Sequence, residues 1–237
     1  RKAHTVKRNG KTVKIKEYKQ LWSLDLKWQL FFYIALFTGA RRGEIVSLLW
    51  SDIDFAKSTI HFSKSTAVVK GEIIHKETKT YATRQCAVPD IVIATAKKLM
   101  KEQKQICLQL GDYWKGSRGK QFQDNFVFIR DDGAQMHVDS PRTEFKRVIR
   151  IYNTNIAKDE SEMIPDNLTL HDLRHTTASI LINNKLDPRS VSGVLGHANT
   201  STTLNIYAYF FHQGSEEAAD IMSSVLLDRP AAAVNQN

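Results

Sequence analysis

The sequence predicts an α+β fold: a mainly helical domain with a small three-stranded antiparallel sheet at one edge. Residues 53–89 are rich in β-branched side chains and tend to alternate, which is typical of strands. On both sides of this segment, apolar residues recur at helical spacing between breakers. With 42% hydrophobic and 25% charged residues the composition is that of an ordinary globular domain, so a well-formed core is expected.

Eight helices are predicted. The first is a long apolar segment over 24–37, and the second follows the break at Thr38-Gly39 and ends near Trp50. The remaining predicted helices span, in order, residues 91–110, 140–152, 171–183, 188–196, 200–211 and 216–227. Two of them have clear start signals, because Ser140-Pro141 and Asp187-Pro188 place a proline in the first turn.

The sheet is predicted to be a meander of three strands within the segments STIHFSKSTAVV, GEIIHKE and TRQCAV. Its turns would lie at Lys70-Gly71 and at residues 78–82. A further short strand is predicted in the segment NFVFI, after a loop over residues 111–124.

The charge points to an anionic partner. The chain has a net charge of +9, and residues 1–20 supply +7 of it through eight Lys/Arg and one Glu. Nucleic acid is the leading candidate, although a basic domain without a polyanionic partner has the same charge.

Cysteine content and hydropathy narrow the class of protein. Cys86 and Cys107 do not make a disulfide framework in a domain of this size, and Cys86 is expected to be a small core residue. No apolar run approaches the ~18 residues of a membrane span, and there is no secretory signal. We therefore expect no membrane association and a reducing, cytoplasmic location.

The candidate chemistry lies in two regions. Arg41 follows Gly39 at the start of a helix, where free N–H groups already attract phosphate, and Glu44 is within helical reach to orient its guanidinium. Far downstream, the segment from Leu170 to Phe210 places four candidate residues within about forty positions, namely His171, Arg174, His197 and Tyr207. Cations around a phenol suit a phosphodiester attacked by the protein's own tyrosine.

Two alternatives compete with this interpretation. His171 and His175 have the i, i+4 spacing of a zinc site, but Asp172 replaces the Glu of a metalloprotease, and Arg174 on the His171 face would repel a dication. His175 is then a packed or orienting side chain. Tyr209 competes with Tyr207 as the nucleophile, but on a helix it would point roughly 200° away.

Together these residues resemble the catalytic domain of tyrosine recombinases, the phage-integrase family, from about Leu21 to Phe211. The Thr-Gly-any-Arg pattern selects Arg41 over Arg42, and the segment Thr202 to Tyr207 resembles the nucleophile box. The interval between His197 and Tyr207 is slightly longer than is usual in the family. Within the family, the sequence most resembles the integrases of phages and conjugative elements of Gram-positive bacteria.

The resemblance implies six catalytic residues with two in support. In the family a lysine on the turn between the second and third strands protonates the leaving oxygen, which implies Lys79, with Lys76 as the alternative because this loop varies in length. The implied catalytic set is Arg41, Lys79, His171, Arg174, His197 and Tyr207, supported by Glu44 and His175. No cofactor and no metal are implied, because cationic side chains take the metal's role.

The implied reaction is site-specific DNA recombination through a 3′-phosphotyrosyl intermediate. The implied partners are double-stranded DNA attachment sites, a homo-tetramer on DNA formed by a chain that is monomeric alone, and accessory DNA-bending or directionality factors. The site of action is the bacterial cytoplasm, at the nucleoid. Two alternatives are a type IB topoisomerase-like relaxing enzyme and a catalytically silent DNA-binding relative.

The implied organisation has three parts. Residues 1–20 would be a basic linker from an N-terminal DNA-binding domain, and residues 21–212 the catalytic domain. Residues 213–237 would be a tail whose amphipathic helix docks on its own core or on a neighbouring subunit.

Overall fold

The computed structural model describes residues 4–8, 11–15, 24–69, 72–77 and 83–196. Its helices are α1 (Leu26–Thr38), α2 (Arg42–Val46), α3 (Asp90–Leu110), α4 (Ser140–Asn155), α5 (Leu170–Asn183) and α6 (Pro188–Leu195). Its strands are β1 (His4–Arg8), β2 (Lys11–Ile15), β3 (Ile53–Asp54), β4 (Thr59–Phe62), β5 (Lys64–Val69), β6 (Glu72–Glu77) and β7 (Arg84–Ala87). Within these ranges no helix is long and apolar enough to cross a membrane.

Helix α1 is central to the main core. Leu30, Phe31 and Ile34 are fully enclosed on one side of the helix, whereas Leu36 and Phe37 are exposed. The helix contacts α3, α4 and α5, so it joins the upstream and downstream halves of the described chain.

The predicted α+β fold, with its three-stranded antiparallel sheet, is confirmed, but the strands are not those of the predicted meander. The sheet has the order β3–β4–β7, and Ile60 of β4 lies opposite Cys86 of β7. The chain leaves this sheet at Ser63, and β5 and β6 form a separate antiparallel pair. Alternation shows which residues share a face of a strand, but it does not select the partner strand.

The second predicted helix is shorter than expected. Helix α2 ends at Val46, and a 3₁₀ turn over Trp50–Asp52 follows it. Asp52 accepts a hydrogen bond from the backbone N–H of Leu49 at 2.8 Å, which starts the new turn. Ser47, just past the end of α2, contacts Thr66 Oγ1 at 2.7 Å and so holds β5 against the helix.

The strand predicted in NFVFI is absent from the described chain, where two isolated bridges, Leu49–Phe126 and Ile129–Gln135, stand in its place. Val127 donates to the Leu48 carbonyl at 2.8 Å, and Phe128 accepts from Met136 at 2.9 Å. The run is apolar because it crosses the core; its backbone pairs with two loops rather than with a sheet.

The downstream helices form a second, small core. Ala178 and Ile182 of α5 pack with Val191 and Leu195 of α6. Asp187 caps α6 by accepting from the N–H groups of Arg189 and Ser190, as the Asp-Pro signal predicts. The helices predicted over 200–211 and 216–227 lie outside the described residues.

The first twenty residues, predicted to be a basic linker, contain an antiparallel hairpin of β1 and β2 in which Val6 lies opposite Val13. The helix predicted over 91–110 is confirmed by α3. Its four lysines, Lys97, Lys98, Lys101 and Lys104, are all exposed.

Candidate active site

The site is built around the turn between α1 and α2. Helix α1 ends at Thr38 and is capped by Gly39, which adopts a left-handed conformation with φ of 59°. A Cβ at this position would also lie 2.3 Å from Leu195 Cδ2, so glycine is required both by the backbone and by the approach of α6. Arg41 then starts α2 as its N-terminal capping residue.

Glu44 holds Arg41 from the first turn of α2. Its Oε2 accepts from the Arg41 backbone N–H at 2.8 Å, and its Oε1 accepts from Arg41 Nη1 at 3.1 Å. The same carboxylate pairs with Arg84 Nη2 at 2.8 Å. Burial alone would raise the pKa of Glu44, but the hydrogen bond and charge of Arg84, with those of Arg41, lower it below 4.5.

Arg174 reaches the same turn from α5. It is buried, and its Nη1 donates to the Gly39 carbonyl at 2.6 Å. Its buried Nη2 has no partner among the described residues. Burial, reinforced by the charge of Arg41, lowers the Arg174 pKa to about 10. A buried guanidinium without a carboxylate of its own is suited to binding an anion.

His171 and His175 lie next to each other on α5, with ring centroids 4.8 Å apart in an edge-on arrangement. Partial burial, then the charges of His175, Arg174 and Arg41, lower the pKa of His171 from 6.5. The imidazole is therefore neutral at pH 7 and can accept a proton. His175 is exposed, so the prediction that it is a packed side chain is wrong. Its alternative role, as an orienting side chain, stays a prediction.

Arg41, His171 and Arg174 line a cleft of ≈ 710 Å³, whereas Glu44 and His175 do not. Five cationic side chains line it, and none of the described lining residues is a carboxylate; the cations are Arg41, Arg42, Arg142, Lys146 and Arg174. Arg42 is paired with Asp139 at 2.7 Å, and Arg41 is paired with Glu44 at 3.1 Å. Both arginines therefore have a carboxylate partner, and the choice of Arg41 over Arg42 stays a prediction from the family pattern.

Sequence reasoning missed three residues of this region. Arg142 and Lys146 are at i, i+4 on α4 and therefore share a helix face, which was a usable signal. Arg84 has no such signal, because its proximity to Glu44 depends on the pairing of β7 with β4.

Three of the six predicted catalytic residues lie outside the described residues: Lys79, His197 and Tyr207. Tyr209, the alternative nucleophile, does so too, and Lys76 is described only as backbone in β6. The last described residue, Gly196, has its carbonyl 3.4 Å from Arg41 Nη1. The described chain therefore ends beside Arg41, immediately before His197.

Within the described residues no group of three or more His, Cys, Asp or Glu side chains could hold a metal ion. The His171–His175 pair has no third ligand there, and Arg174 lies on the same helix face. The site is thus composed of cations, imidazoles and one carboxylate.

Comparison with known proteins gives consistent matches. A model of the phage integrase family matches residues 11–213. The ICEBs1 integrase of Bacillus subtilis is 26% identical over 215 residues, which are 89% of this chain and 53% of that protein. Tyrosine recombinase XerC of Bacillus pumilus is 30% identical over 170 residues, 70% of this chain and 44% of that protein.

Among solved structures, the Tn1549 transposon integrase in complex with transposon right end DNA matches with a TM-score of 0.69 and 25% identity. The match covers 88% of this chain and 61% of that chain. This chain spans about half the length of the curated relatives that it matches.

Proposed function

Because the chain belongs to the phage integrase family, we propose that it is the catalytic part of a site-specific DNA recombinase that cuts and rejoins strands through a 3′-phosphotyrosyl intermediate. The observation that supports this most is the convergence of Arg41 and Arg174 in a cleft lined by five cations and no described carboxylate. Such a site binds a phosphodiester and offsets the charge of its transition state.

Tyr207 is proposed to attack the phosphorus, so that an O–P bond forms to the phenol and the bond to the 5′-oxygen breaks. A phenol with a pKa near ~10 costs about 4 kcal/mol to ionise at neutral pH. Neutral His171 is the proposed base that takes the phenolic proton. Arg41 and Arg174 bind non-bridging oxygens, and each pre-placed donor contributes roughly 3–4 kcal/mol.

Two further roles are proposed from the family resemblance. Lys79 gives a proton to the leaving 5′-oxygen, a contribution of ~10²–10⁴-fold. His197 donates a hydrogen bond to a non-bridging oxygen, and the end of the described chain beside Arg41 supports this. Attack by a second 5′-hydroxyl would then reverse the step on a new strand and release Tyr207.

The proposed partners are duplex attachment sites, three further copies of the chain on that DNA, and accessory bending or directionality factors in the bacterial cytoplasm. Residues 1–20 are proposed to join an N-terminal DNA-binding domain to a catalytic domain over 21–212, and residues 213–237 to act as a docking tail. The DNA in the Tn1549 integrase complex supports the first of these partners.

A covalent-capture experiment tests the proposal. The chain is incubated in EDTA with nicked duplexes of randomised sequence, and SDS-resistant adducts are isolated and sequenced. We expect an adduct with the wild-type chain and with Tyr209→Phe, and none with Tyr207→Phe, whose DNA binding should be unchanged. An adduct in Tyr207→Phe, or loss of the adduct on chelation, would contradict the assignment.

The general acid is tested on a substrate whose 5′-bridging oxygen is replaced by sulfur, a leaving group that needs little protonation. Lys79→Ala should regain most of its lost cleavage on this substrate, whereas Arg41→Ala should not. If Lys76→Ala shows the rescue instead, the lysine assignment is wrong.

A further inference from the structure

We propose that Arg84 is a positioning residue of this active site, which holds the Glu44 carboxylate against Arg41 and supports the backbone at Gly196. The proposal rests on the proposed cleavage reaction. It assigns a role to a residue outside the cleft, since Arg84 is not among the residues that line it.

The first argument is the burial of Arg84. Its side chain is 7% exposed, its guanidinium lies over the Phe62 ring at 4.7 Å, and its Nη2 is 2.8 Å from Glu44 Oε2. A planar guanidinium fixed by a ring on one face and a buried carboxylate at its edge has little freedom to move. Arg84 is therefore a rigid anchor for Glu44.

The second argument is that Glu44 passes this constraint to Arg41. Arg41 is 46% exposed, so its own ion pair with Glu44 would be weak if the carboxylate were free to turn. Glu44 is only 4% exposed, and its Oε2 accepts from both Arg84 and the Arg41 backbone. The orientation of the exposed arginine is thus set by the buried one.

The third argument concerns Gly196. A Cβ on Gly196 would lie 2.6 Å from Arg84 Nη1 and 3.0 Å from its Cδ and Cζ, so the guanidinium lies directly against this backbone. Cys86, two residues along β7, contacts the Val194 carbonyl through its Sγ at 3.7 Å. Strand β7 therefore positions the end of α6, the point from which the chain continues to His197.

Arg84 is also costly as a purely structural residue. Its Nε and Nη1 are buried and have no hydrogen-bond partner among the described residues. An apolar side chain of similar length would fill the space over Phe62 without this penalty. A residue that is costly to bury and adjoins Glu44 and Gly196 at once is better explained by positioning than by packing.

The same contacts predict how Glu44 titrates. The charged and titratable groups that face its carboxylate are Arg41 on α2, Arg84 and Cys86 on β7, and Arg174 on α5. Burial alone would raise the pKa of Glu44, and the contacts of Arg84 are the largest of those that lower it. Without Arg84, the pKa of Glu44 should therefore rise.

The test compares Arg84→Met, which keeps the stem over Phe62, with Arg84→Lys, which keeps the charge, and with Arg118→Met as a matched exposed control. Adducts are formed with the DNA recovered by covalent capture. We expect Arg84→Met to slow single-turnover adduct formation ~10- to 100-fold, below the 10²–10³-fold cost of a lost donor, with DNA affinity nearly unchanged. Arg84→Lys should be intermediate.

A double variant tests whether Arg84 acts through Glu44. Arg84→Met combined with Glu44→Gln should be little slower than the slower single variant, because two residues in one network are not additive. An unchanged adduct rate in folded Arg84→Met, or losses that multiply in the double variant, would overturn the proposal.

An NMR titration of the Glu44 carboxyl carbon separates this proposal from the proposed function. We expect its midpoint to move to higher pH in Arg84→Met and to stay in place in Arg118→Met. If the wild-type chain forms no adduct, the proposed function fails, and an unmoved Glu44 midpoint in Arg84→Met would independently overturn the role of Arg84. If Arg84→Met does not fold, the adduct rate and the Glu44 midpoint are compared between Arg84→Lys and the wild-type chain instead.

Discussion

Two ion pairs in this molecule have nearly the same distance between their charged groups but very different exposure to solvent. Arg84 and Glu44 are 2.8 Å apart and only 7% and 4% exposed. Arg118 and Asp112 are 3.0 Å apart, but 45% and 101% exposed. Water and salt screen the second pair, while the first pair is shielded from both. The comparison shows that burial, rather than distance, decides which ion pairs contribute substantially to the structure.

The charges around the buried pair are also unbalanced. Two buried guanidinium groups, those of Arg84 and Arg174, lie near the single buried carboxylate of Glu44, which also pairs with the exposed Arg41. The charged form of Arg174 is destabilised, since burial and its cationic neighbours lower its pKa to about 10. An excess of buried positive charge opposes folding and favours an anionic ligand, a trade between stability and activity that is common at functional sites.

The largest effect is expected when the buried carboxylate is removed. Glu44→Gln should lower the free energy of unfolding by about 3–5 kcal/mol, because Arg84 would remain buried without its counterion. Urea denaturation at pH 7 measures this. A change below about 1 kcal/mol would mean that the centre is as well screened as the surface pairs.

The same variant makes a prediction about pH. The folded-state pKa of Glu44 lies below 4.5, so its stabilising effect is complete above pH 4.5 and is lost as pH falls through the folded value. Glu44→Gln should lack this part of the acid denaturation curve. An unaltered curve would show that Glu44 does not contribute to acid sensitivity.

The next effect concerns Arg174. Arg174→Met should slow adduct formation by about 10²–10³-fold, the cost of one lost transition-state donor. Its loss of stability should be smaller than that of Glu44→Gln, because the change also removes repulsion with Arg41 and Arg84. On the same preparation, single-turnover kinetics measures the rate of adduct formation and urea denaturation measures the loss of stability. A stability loss equal to that of Glu44→Gln would contradict the imbalance described above.

A somewhat smaller effect is expected at His171. Because burial, His175, Arg174 and Arg41 lower its pKa, the acid limb of the pH–rate profile should lie below pH 6.5. His171→Gln should remove this limb and slow cleavage about 10²-fold at neutral pH. His61→Gln, an exposed histidine on β4, serves as the control. Persistence of the limb in His171→Gln would exclude it as the base.

The smallest effect is expected at the exposed pair. Arg118→Met should change neither the urea midpoint nor the adduct rate measurably, because an exposed pair contributes little to stability. A clear loss in either measurement would remove the contrast between the two ion pairs.

Much of the site was predictable because it depends on local spacing. Arg41 and Glu44 lie within one helical turn, and His171, Arg174 and His175 share a face of α5, so helix geometry alone brings each set together. The positions of α3, α4, α5 and α6 also followed from periodicity and from proline and aspartate signals. These relations hold in any structure that contains the helices.

Long-range pairing was not predictable. The predicted meander pairs β4 with the GEIIHKE segment, but β4 pairs with β7 instead, and this pairing brings Arg84 to Glu44. The Arg174 contact with the Gly39 carbonyl spans 135 positions and requires α5 to pack on α1.

By itself, then, the sequence determined which residue types are present, which of them share a helix face, and that the chain is strongly basic. Only the tertiary structure decided which guanidinium is buried, which is exposed, and which shares the carboxylate. The physical reason is that helical spacing is set by local backbone geometry, whereas burial and the electrostatics that follow from it depend on which distant segments pack together.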